Sequence, residues 1–571
     1  MLILSVVIMV RDSDDEGTAN THRCFMCDRP ADIKCPGCDE VWFCCPAHGA
    51  IHYRPEVGTC FPWRVTEAEG KGRIMVTTRR VRAGETLFME EPIVHGPNQD
   101  GSPICLTCYS AVSLDFLCEG CGYPMCDEEC SAHPSHEAEC RVLGRGPAPV
   151  FSQEGLTEAY HCILPLRLLL LARQDPDRVS LADHLMDHEE ERRDSEDWVT
   201  TERTVVRHLL EECGAAENEN MTEEEVRRAI GVLEVNCYEV YTFLQKTASN
   251  SAGNRGCFPA ASLLSHCCVA NSRHLWGKEP PYTNTCIATT DIGAGEEVVT
   301  SYVHPTTAAV RRRPKLLAGW YFECGCERCG SATELGTHHN TMVCPACGQP
   351  RLLPARPREL GSDWVCDCGF TSSNKEVLVS VEKLHNGIKT ITENCRYSAD
   401  TWLNFLDMAL TIVHPQHEVM VEVSKFLLPI MCRGPGQRTE DFPLSLVERK
   451  LDLVKSTLNV LNVLDPGYSK ARVKVLYEMV ETKLFLAFRE DLNLHRDRLK
   501  SLVRECFSTI SQVIRIMERL KPDKGFESMI VLAANTLQSH CQEIGNQMLY
   551  DELDMERWRG ETWYLLDLCT Q

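Results

Sequence analysis

Between Cys105 and Cys140 the chain reads CLTC, CEGC, CDEEC and HEAEC, eight soft metal ligands in a stretch with few large apolar side chains. A segment of this kind cannot fold by burying hydrocarbon, so bound ions must supply most of its folding free energy. A C-x2-C turn presents two thiolates to one zinc at about 2.3 Å, and four ligands complete a tetrahedron. An interleaved pairing gives Cys105, Cys108, Cys126 and Cys130 to one ion and Cys118, Cys121, His136 and Cys140 to the other.

A looser version precedes it. Two C-x2-C pairs, Cys24 with Cys27 and Cys35 with Cys38, are followed by Cys44, His48, His52 and Cys60. The same interleaving puts Cys24, Cys27, Cys44 and His48 on one zinc and Cys35, Cys38, His52 and Cys60 on another, with Cys45 spare. Further on, Cys324, Cys326 and Cys329 form C-x-C-x2-C, one ligand short of a tetrahedral site. Cys344, Cys347, Cys366 and Cys368 make a separate ribbon-like set, closed by a C-x-C tighter than the usual C-x2-C. With 33 cysteines in 571 residues and no secretory signal in the sequence, zinc in a reducing compartment is expected rather than disulfides. That places the chain in the cytosol and nucleus.

A formal charge of −23 argues against a general grip on nucleic acid, and neither cysteine cluster has the spacing of a finger with a base-reading helix. A basic protein segment suits this charge better. The opening MLILSVVIMV is too short to span a bilayer, is expected to be flexible or strand-like over residues 1–20, and no membrane association is expected.

The ordered motifs point further. EGKGRIMVTTRRVRAGETLFMEEPIV (69–94) is a Gly-Lys-Gly turn followed by β-prone alternation, and CIATTDIGAGEEVVTSYV (286–303) repeats strand, glycine turn, strand and ends near Tyr302. Together with NRGCFPAASLLSHCCVAN (254–271) and YFECGCERC (321–329), these segments resemble the split SET domain of the SMYD family of protein-lysine methyltransferases, in which a MYND zinc finger interrupts the fold. The finger at 105–140 resembles MYND, and that at 21–62 is a looser copy with His48 where MYND usually has cysteine. The extra finger and the SRHLW ending look most like arthropod SmydA-type members. The resemblance implies a multidomain α+β chain with a β-rich SET domain and an α-helical, tetratricopeptide-like C-terminal domain. The SET parts fall at 63–104 and 236–304, a helical insert at 141–235, a post-SET zinc segment with its ribbon at 305–370, and the helical domain at 371–571.

The resemblance also assigns roles. Cys268 becomes the fourth ligand of the Cys324, Cys326 and Cys329 zinc, giving five or six zinc sites in all, and Cys267 is a packed thiol. Tyr302 is the tyrosine beside the transferring methyl of S-adenosylmethionine. Gly70, Lys71, Gly72, Asn236, Tyr238, Ser265, His266 and Phe322 line the cofactor site, and Trp320 lines the lysine channel. Partners are a protein substrate with a target lysine and proline-containing peptides for the fingers, and the chain is expected to be a monomer. Three positions depart from the family: Ser265 replaces an asparagine that contributes to cofactor binding, Ala270 replaces the proline before Asn271, and Trp320 replaces a tyrosine. They leave two readings open, a working methyltransferase of histone or other protein lysines, or an interaction scaffold with a weak or idle SET fold, acting for example in transcriptional repression.

Elsewhere Thr222 with Glu225 forms a capping box, DHEEERRDSED (187–197) reads as a charged linker, the basic run from Arg311 to Lys315 reads as a solvated helix face, and an Asp465-Pro466-Gly467 break separates two amphipathic helices.

Overall fold

The computed structural model describes residues 22–549 except 39, 56–57, 100–102, 152–157, 194, 241–252, 278–281, 434–440, 490–495 and 521–525. The apolar N-terminal stretch therefore lies outside the described residues. Among the described residues, ten strands of the central region form four small sheets. Strands β1 (Trp63–Ala68) and β2 (Gly72–Thr77) pair as an antiparallel hairpin. Its turn requires left-handed backbone at Gly70 and Gly72 (φ 73° and 72°), which glycine adopts without a Cβ clash. Strands β3 (Thr86–Glu90), β8 (Ser272–Trp276) and β9 (Asn284–Ala288) form a second sheet with β9 in the middle. A third has β6 (Asn254–Cys257) between β4 (Val94–Pro97) and β5 (Cys237–Val240), all antiparallel. The shortest pair, β7 (Ser265–His266) beside β10 (Val299–Thr300), is parallel.

The zinc-ligand segments dock on this core rather than standing off from it. Trp63, fully buried, contacts Phe25 of the first segment at 5.6 Å and Phe88 of β3 at 6.3 Å between ring centroids. The second is gripped by one side chain of helix α1 (Ile163–Gln174). Arg167 donates to both oxygens of Glu139 (2.5 and 2.7 Å), to the Leu106 and His95 carbonyls, and to the Tyr109 hydroxyl. Helix α2 (Glu223–Asn236) starts at the Thr222 capping box, with both reciprocal bonds formed. The 187–197 stretch is not the linker its charge suggests. It holds two short helices, Glu189–Arg192 and Glu196–Thr201, because Arg192 is buried and bonds Glu234 through two nitrogens.

Beyond helix α3 (Ala309–Trp320) the chain is mainly helical: α4 (Asn374–Asn394), α5 (Ala399–Ala409), α6 (Glu418–Leu427), α7 (Leu444–Leu464), α8 (Lys470–Ala487), α9 (Arg496–Leu520) and α10 (Phe526–Leu549). Their apolar faces share a second core, which Ile287 of β9 enters and Leu275 of β8 packs against. The two parts meet at the α7–α8 break. Asp465 pairs with Arg273 of β8 at 2.5 Å, Tyr468 N donates to Thr289 O at 3.1 Å, and Arg519 of α9 donates to Gly84 O and Thr86 Oγ1. Gly467 sits at φ 71° with the place of a Cβ only 1.8 Å from Thr289 O. Gly467→Ala is therefore expected to lower stability by about 2–3 kcal/mol through strain and a backbone clash. Urea denaturation reads this directly, and a change below about 0.5 kcal/mol would mean that the break does not seat the helices on the sheet.

Candidate functional site

The structure gathers the cysteines and histidines into separate groups. Cys24, Cys27, Cys44 and His48 form one, Cys35, Cys38, His52 and Cys60 a second, Cys105, Cys108, Cys126 and Cys130 a third, and Cys118, Cys121, His136 and Cys140 a fourth, the ligand atoms of each within 4.8 Å of one another. A fifth joins Cys268 to Cys324, Cys326 and Cys329. Cys344 Sγ lies 3.6 Å from Cys368 and Cys347 Sγ 3.7 Å from Cys366, which makes a sixth. A tetrahedron with 2.3 Å zinc–sulfur bonds has edges of about 3.8 Å. Sulfur–sulfur distances of 3.3 Å (Cys108 to Cys126), 3.5 Å (Cys268 to Cys329) and 3.7 Å (Cys268 to Cys324) fit that geometry. These sets would hold structural zinc, closed to substrate.

Two of the three ligand histidines, His136 and His48, are oriented from behind, as metal-binding imidazoles usually are, whereas His52 Nδ1 is buried with no hydrogen-bond partner among the described residues. His136 turns Nε2 toward Cys121 and places Nδ1 2.8 Å from Glu139, the carboxylate that Arg167 holds. His48 presents Nδ1 to Cys24 and Cys44, and its Nε2 lies 2.9 Å from Ser180 Oγ, whose own proton goes to Asp177 O.

The Cys268 group sits against an aromatic cluster. Tyr302 packs on His266 (5.2 Å), Trp320 (5.2 Å) and Phe322 (6.2 Å), and His266 on Phe322 (5.8 Å). The Tyr302 amide donates to His266 Nδ1 at 3.0 Å, so the ring proton is on Nε2, 3.3 Å from Cys268 Sγ. Burial, with help from Arg312, lowers the His266 pKa to about 4 and keeps the ring neutral. The Tyr302 hydroxyl donates to Leu264 O at 2.8 Å, and burial and the Glu297 carboxylate push its pKa up to about 12. Its proton is committed, and its lone pairs are the polar feature left to face a ligand.

The other residues singled out in the sequence lie around this centre in different states. The Gly70 to Gly72 turn is exposed, and Lys71 pairs with Glu297 at 2.6 Å. Ser265 is half-buried on β7, with its backbone beside Val299. Asn236 Nδ2 is taken up by the Met186 and Val232 carbonyls, and Tyr238 donates to Ala261 O at 3.0 Å inside a cluster with Phe258, His274 and Trp276. Tyr302 thus contacts His266, Trp320 and Phe322, whereas Asn236 and Tyr238 have their polar groups committed elsewhere.

The basic run is the main correction. At 100° per residue, successive helix positions point in different directions, and the three arginines of α3 reach three separate elements. Arg311 meets His385 and Glu418, Arg312 donates to Cys268 Sγ (3.0 Å) and Glu334 (3.0 Å), and Arg313 donates to Pro357 O and Glu323. Arg312, Arg328 and Glu334 have no solvent-exposed side-chain surface, and Arg328 donates to Glu334 (2.6 Å) and to the Cys268 and Pro305 carbonyls. Glu334 and Glu418 also accept from the Ala309 and Ala308 amides at the uncapped start of α3. The helix starts with Ala308 at the capping position, which carries no side-chain oxygen, so its first amides need acceptors from elsewhere. Glu297 was also missed: one carboxylate oxygen holds Lys71, and the other is buried with no hydrogen-bond partner among the described residues.

No family model matches the chain. It is 29% identical over 324 residues to SET domain-containing protein SmydA-8, isoform B, of Drosophila melanogaster, and 27% identical over 316 residues to isoform A. The chain is SmydA-like. Each match covers 53% of it, and 66% and 64% of those relatives, so the SmydA-like chain spans just under two thirds of their length. It is also 20% identical over 507 residues to histone-lysine N-methyltransferase ASHR1 of Arabidopsis thaliana, across 86% of this chain and 96% of that protein. A solved structure of the SET domain of LSMT bound to lysine and AdoHcy aligns at 10% identity and TM-score 0.22 over 89% of the chain, too distant a superposition to build on.

Burial alone would raise the Glu334 pKa, but Arg328 and Arg312 outweigh it and hold the carboxyl at about 2, below its ordinary 4.5. Its contribution to stability is complete above pH 4.5 and is lost as the pH falls toward 2. At pH 7, Glu334→Gln leaves two buried guanidiniums without their anion and is expected to cost about 3–5 kcal/mol. It should also speed zinc release from the Cys268 set, read with a metallochromic dye. A cost below about 1 kcal/mol with unchanged zinc release would contradict this role.

Proposed function

We propose that this chain is an S-adenosylmethionine-dependent protein-lysine methyltransferase whose site centres on Tyr302. The observation that carries the reading is the Tyr302 cluster: an oxygen whose proton is given to Leu264 O, walled by His266, Trp320 and Phe322 and tied to the Cys268 zinc set. Supporting it are the histone-lysine methyltransferase name of the Arabidopsis relative and the SET-domain name of the Drosophila relatives.

The residues fit a sulfonium cofactor, because an aromatic wall and a tyrosine lone pair both favour a cationic methyl group over a neutral ligand. S-adenosylmethionine, when bound, supplies the electrophilic methyl. The chain's own residues must exclude water, align the incoming amine and hold it neutral, although free lysine titrates near 10.4. Trp320 and Phe322 provide the desolvation that lowers a lysine pKa, and Tyr302 orients the approach. Little acid–base chemistry is asked of the protein, in keeping with a neutral His266 and a Tyr302 that keeps its proton. The net charge of −23 favours a Lys-rich substrate segment, such as a histone tail. The segments at 21–62 and 105–140 would act as MYND-type fingers for proline-containing peptides, and the helical C-terminal part as a tetratricopeptide-like wall of the substrate cleft, in a monomer of cytosol and nucleus.

Ser265 favours the second reading, a scaffold with an idle site, because its short hydroxyl makes no hydrogen bond to a described residue where the family has an amide. An unmade buried hydrogen bond costs about 1–3 kcal/mol, or roughly ten- to a hundredfold in cofactor affinity. Calorimetric titration of zinc-replete protein with S-adenosylmethionine, followed by radiolabelled methyl transfer to basic peptides, separates the two. The enzyme reading expects micromolar binding, at least a hundredfold loss of turnover in Tyr302→Phe with binding changed less than about threefold, and tighter binding in Ser265→Asn. Absence of binding up to millimolar cofactor in folded protein would sink it and leave the scaffold.

A further inference from the structure

Two cysteines outside every zinc set face each other across the third sheet. Cys237, the first residue of β5, is the direct cross-strand partner of Cys257, the last residue of β6. Directly opposed residues of an antiparallel ladder have Cα atoms about 4.5–5.5 Å apart, inside the 4.4–6.8 Å window that a disulfide spans. The two thiols interact with each other, Cys257 donating toward Cys237. They differ in access and in charge environment. Cys237 is half-buried, whereas Cys257 has no exposed surface. Arg255 shares the sheet face with both, since residues two apart on a strand point the same way, and its Nε is buried without a hydrogen-bond partner among the described residues. Burial opposes ionisation of Cys237, but the Cys257 hydrogen bond and the Arg255 charge outweigh it and hold the thiol below its usual range; the bond to Cys237 and burial push Cys257 well above.

From this juxtaposition we infer that Cys237 and Cys257 form a redox-active dithiol, a site of reversible disulfide formation with low-molecular-weight disulfides such as glutathione disulfide. Cys237, as thiolate, attacks one sulfur of glutathione disulfide, forming a mixed disulfide and releasing one glutathione thiolate. Cys257 then loses its proton and attacks the Cys237 sulfur, closing the intramolecular bond and releasing the second glutathione. The protein loses two protons and two electrons, and one glutathione disulfide becomes two thiols. A partly exposed attacking cysteine in front of a fully buried resolving one is the order this exchange requires.

The position gives the bond a consequence. Cys237 follows Asn236 at the end of α2, and Cys257 precedes the Phe258 to Leu264 turn, whose Ala261 and Leu264 carbonyls receive the Tyr238 and Tyr302 hydroxyls. A covalent bond there would fix the two strands that lead into both hydroxyl acceptors. The dithiol itself stands on the strand register and does not depend on the methyltransferase reading.

The test uses zinc-loaded full-length protein equilibrated with glutathione disulfide, then alkylated, digested and mapped by mass spectrometry, with total zinc measured in parallel. The expected result is a Cys237–Cys257 linked peptide, two hydrogens lighter than the free pair, appearing while zinc remains bound and Cys286, fully buried in β9, stays alkylatable after unfolding. In Cys257→Ser the same treatment should trap glutathione on Cys237, and in Cys237→Ser it should leave Cys257 unmodified. Should a variant fail to fold, the wild-type map decides alone. Recovery of Cys237 and Cys257 as free thiols after the zinc-bound protein has equilibrated, or their linkage only after zinc is lost, would overturn the proposal.

Discussion

Three charged side chains without solvent contact, Arg312, Arg328 and Glu334, hold the site region to the rest of the chain. A zinc bound by four thiolates carries a formal charge of −2, and a buried anion of that size is tolerated only when cations and hydrogen bonds answer it. Arg312 does so directly at the sulfur of Cys268, and Arg328 at its carbonyl oxygen. Glu334 then balances both guanidiniums and, with Glu418, accepts the first amides of the helix that carries Arg312. The zinc set, the helix start and the helical part beyond it are thereby parts of one electrostatic unit. The aromatic cluster inherits its placement from that unit, because His266 is two residues from Cys268 and Phe322 two residues from Cys324.

The histidine-containing zinc sets follow a related logic. In two of them a histidine is fixed with help from the helical insert: Arg167 of α1 holds the Glu139 that meets His136, and Ser180 reaches His48 directly. Metal binding and docking are coupled in this way. The insert orients the ligands that let each finger fold, and the folded fingers cover the insert's apolar surface.

How much of this could be read from the sequence depended on whether the interactions were local. Ligand spacing is local, and the interleaved partition of Cys105 to Cys140 appears in space as the spacing suggested, as do the Thr222 capping box and the break at Gly467. The grouping of Cys268 with a motif more than fifty residues away came from resemblance alone, since no spacing rule reaches that far. What stayed illegible was long-range pairing of charge. Three consecutive arginines look like a solvated face, and only the folded neighbours show that Arg312 and Arg313 are buried and that each arginine has a different partner. Arg192 misled for the same reason: its partner Glu234 lies 42 positions away.

Hydrogen exchange read by mass spectrometry, comparing wild type with Cys329→Ser, tests the unity of this assembly most directly. If the Cys268 zinc and its arginine–glutamate knot organise the site, removing one ligand should raise exchange together at 262–268, 302–309 and 324–334, with the 105–143 finger unchanged. Faster exchange confined to 324–329, with the Tyr302 and His266 segments still protected, would contradict it and make that zinc a local clip.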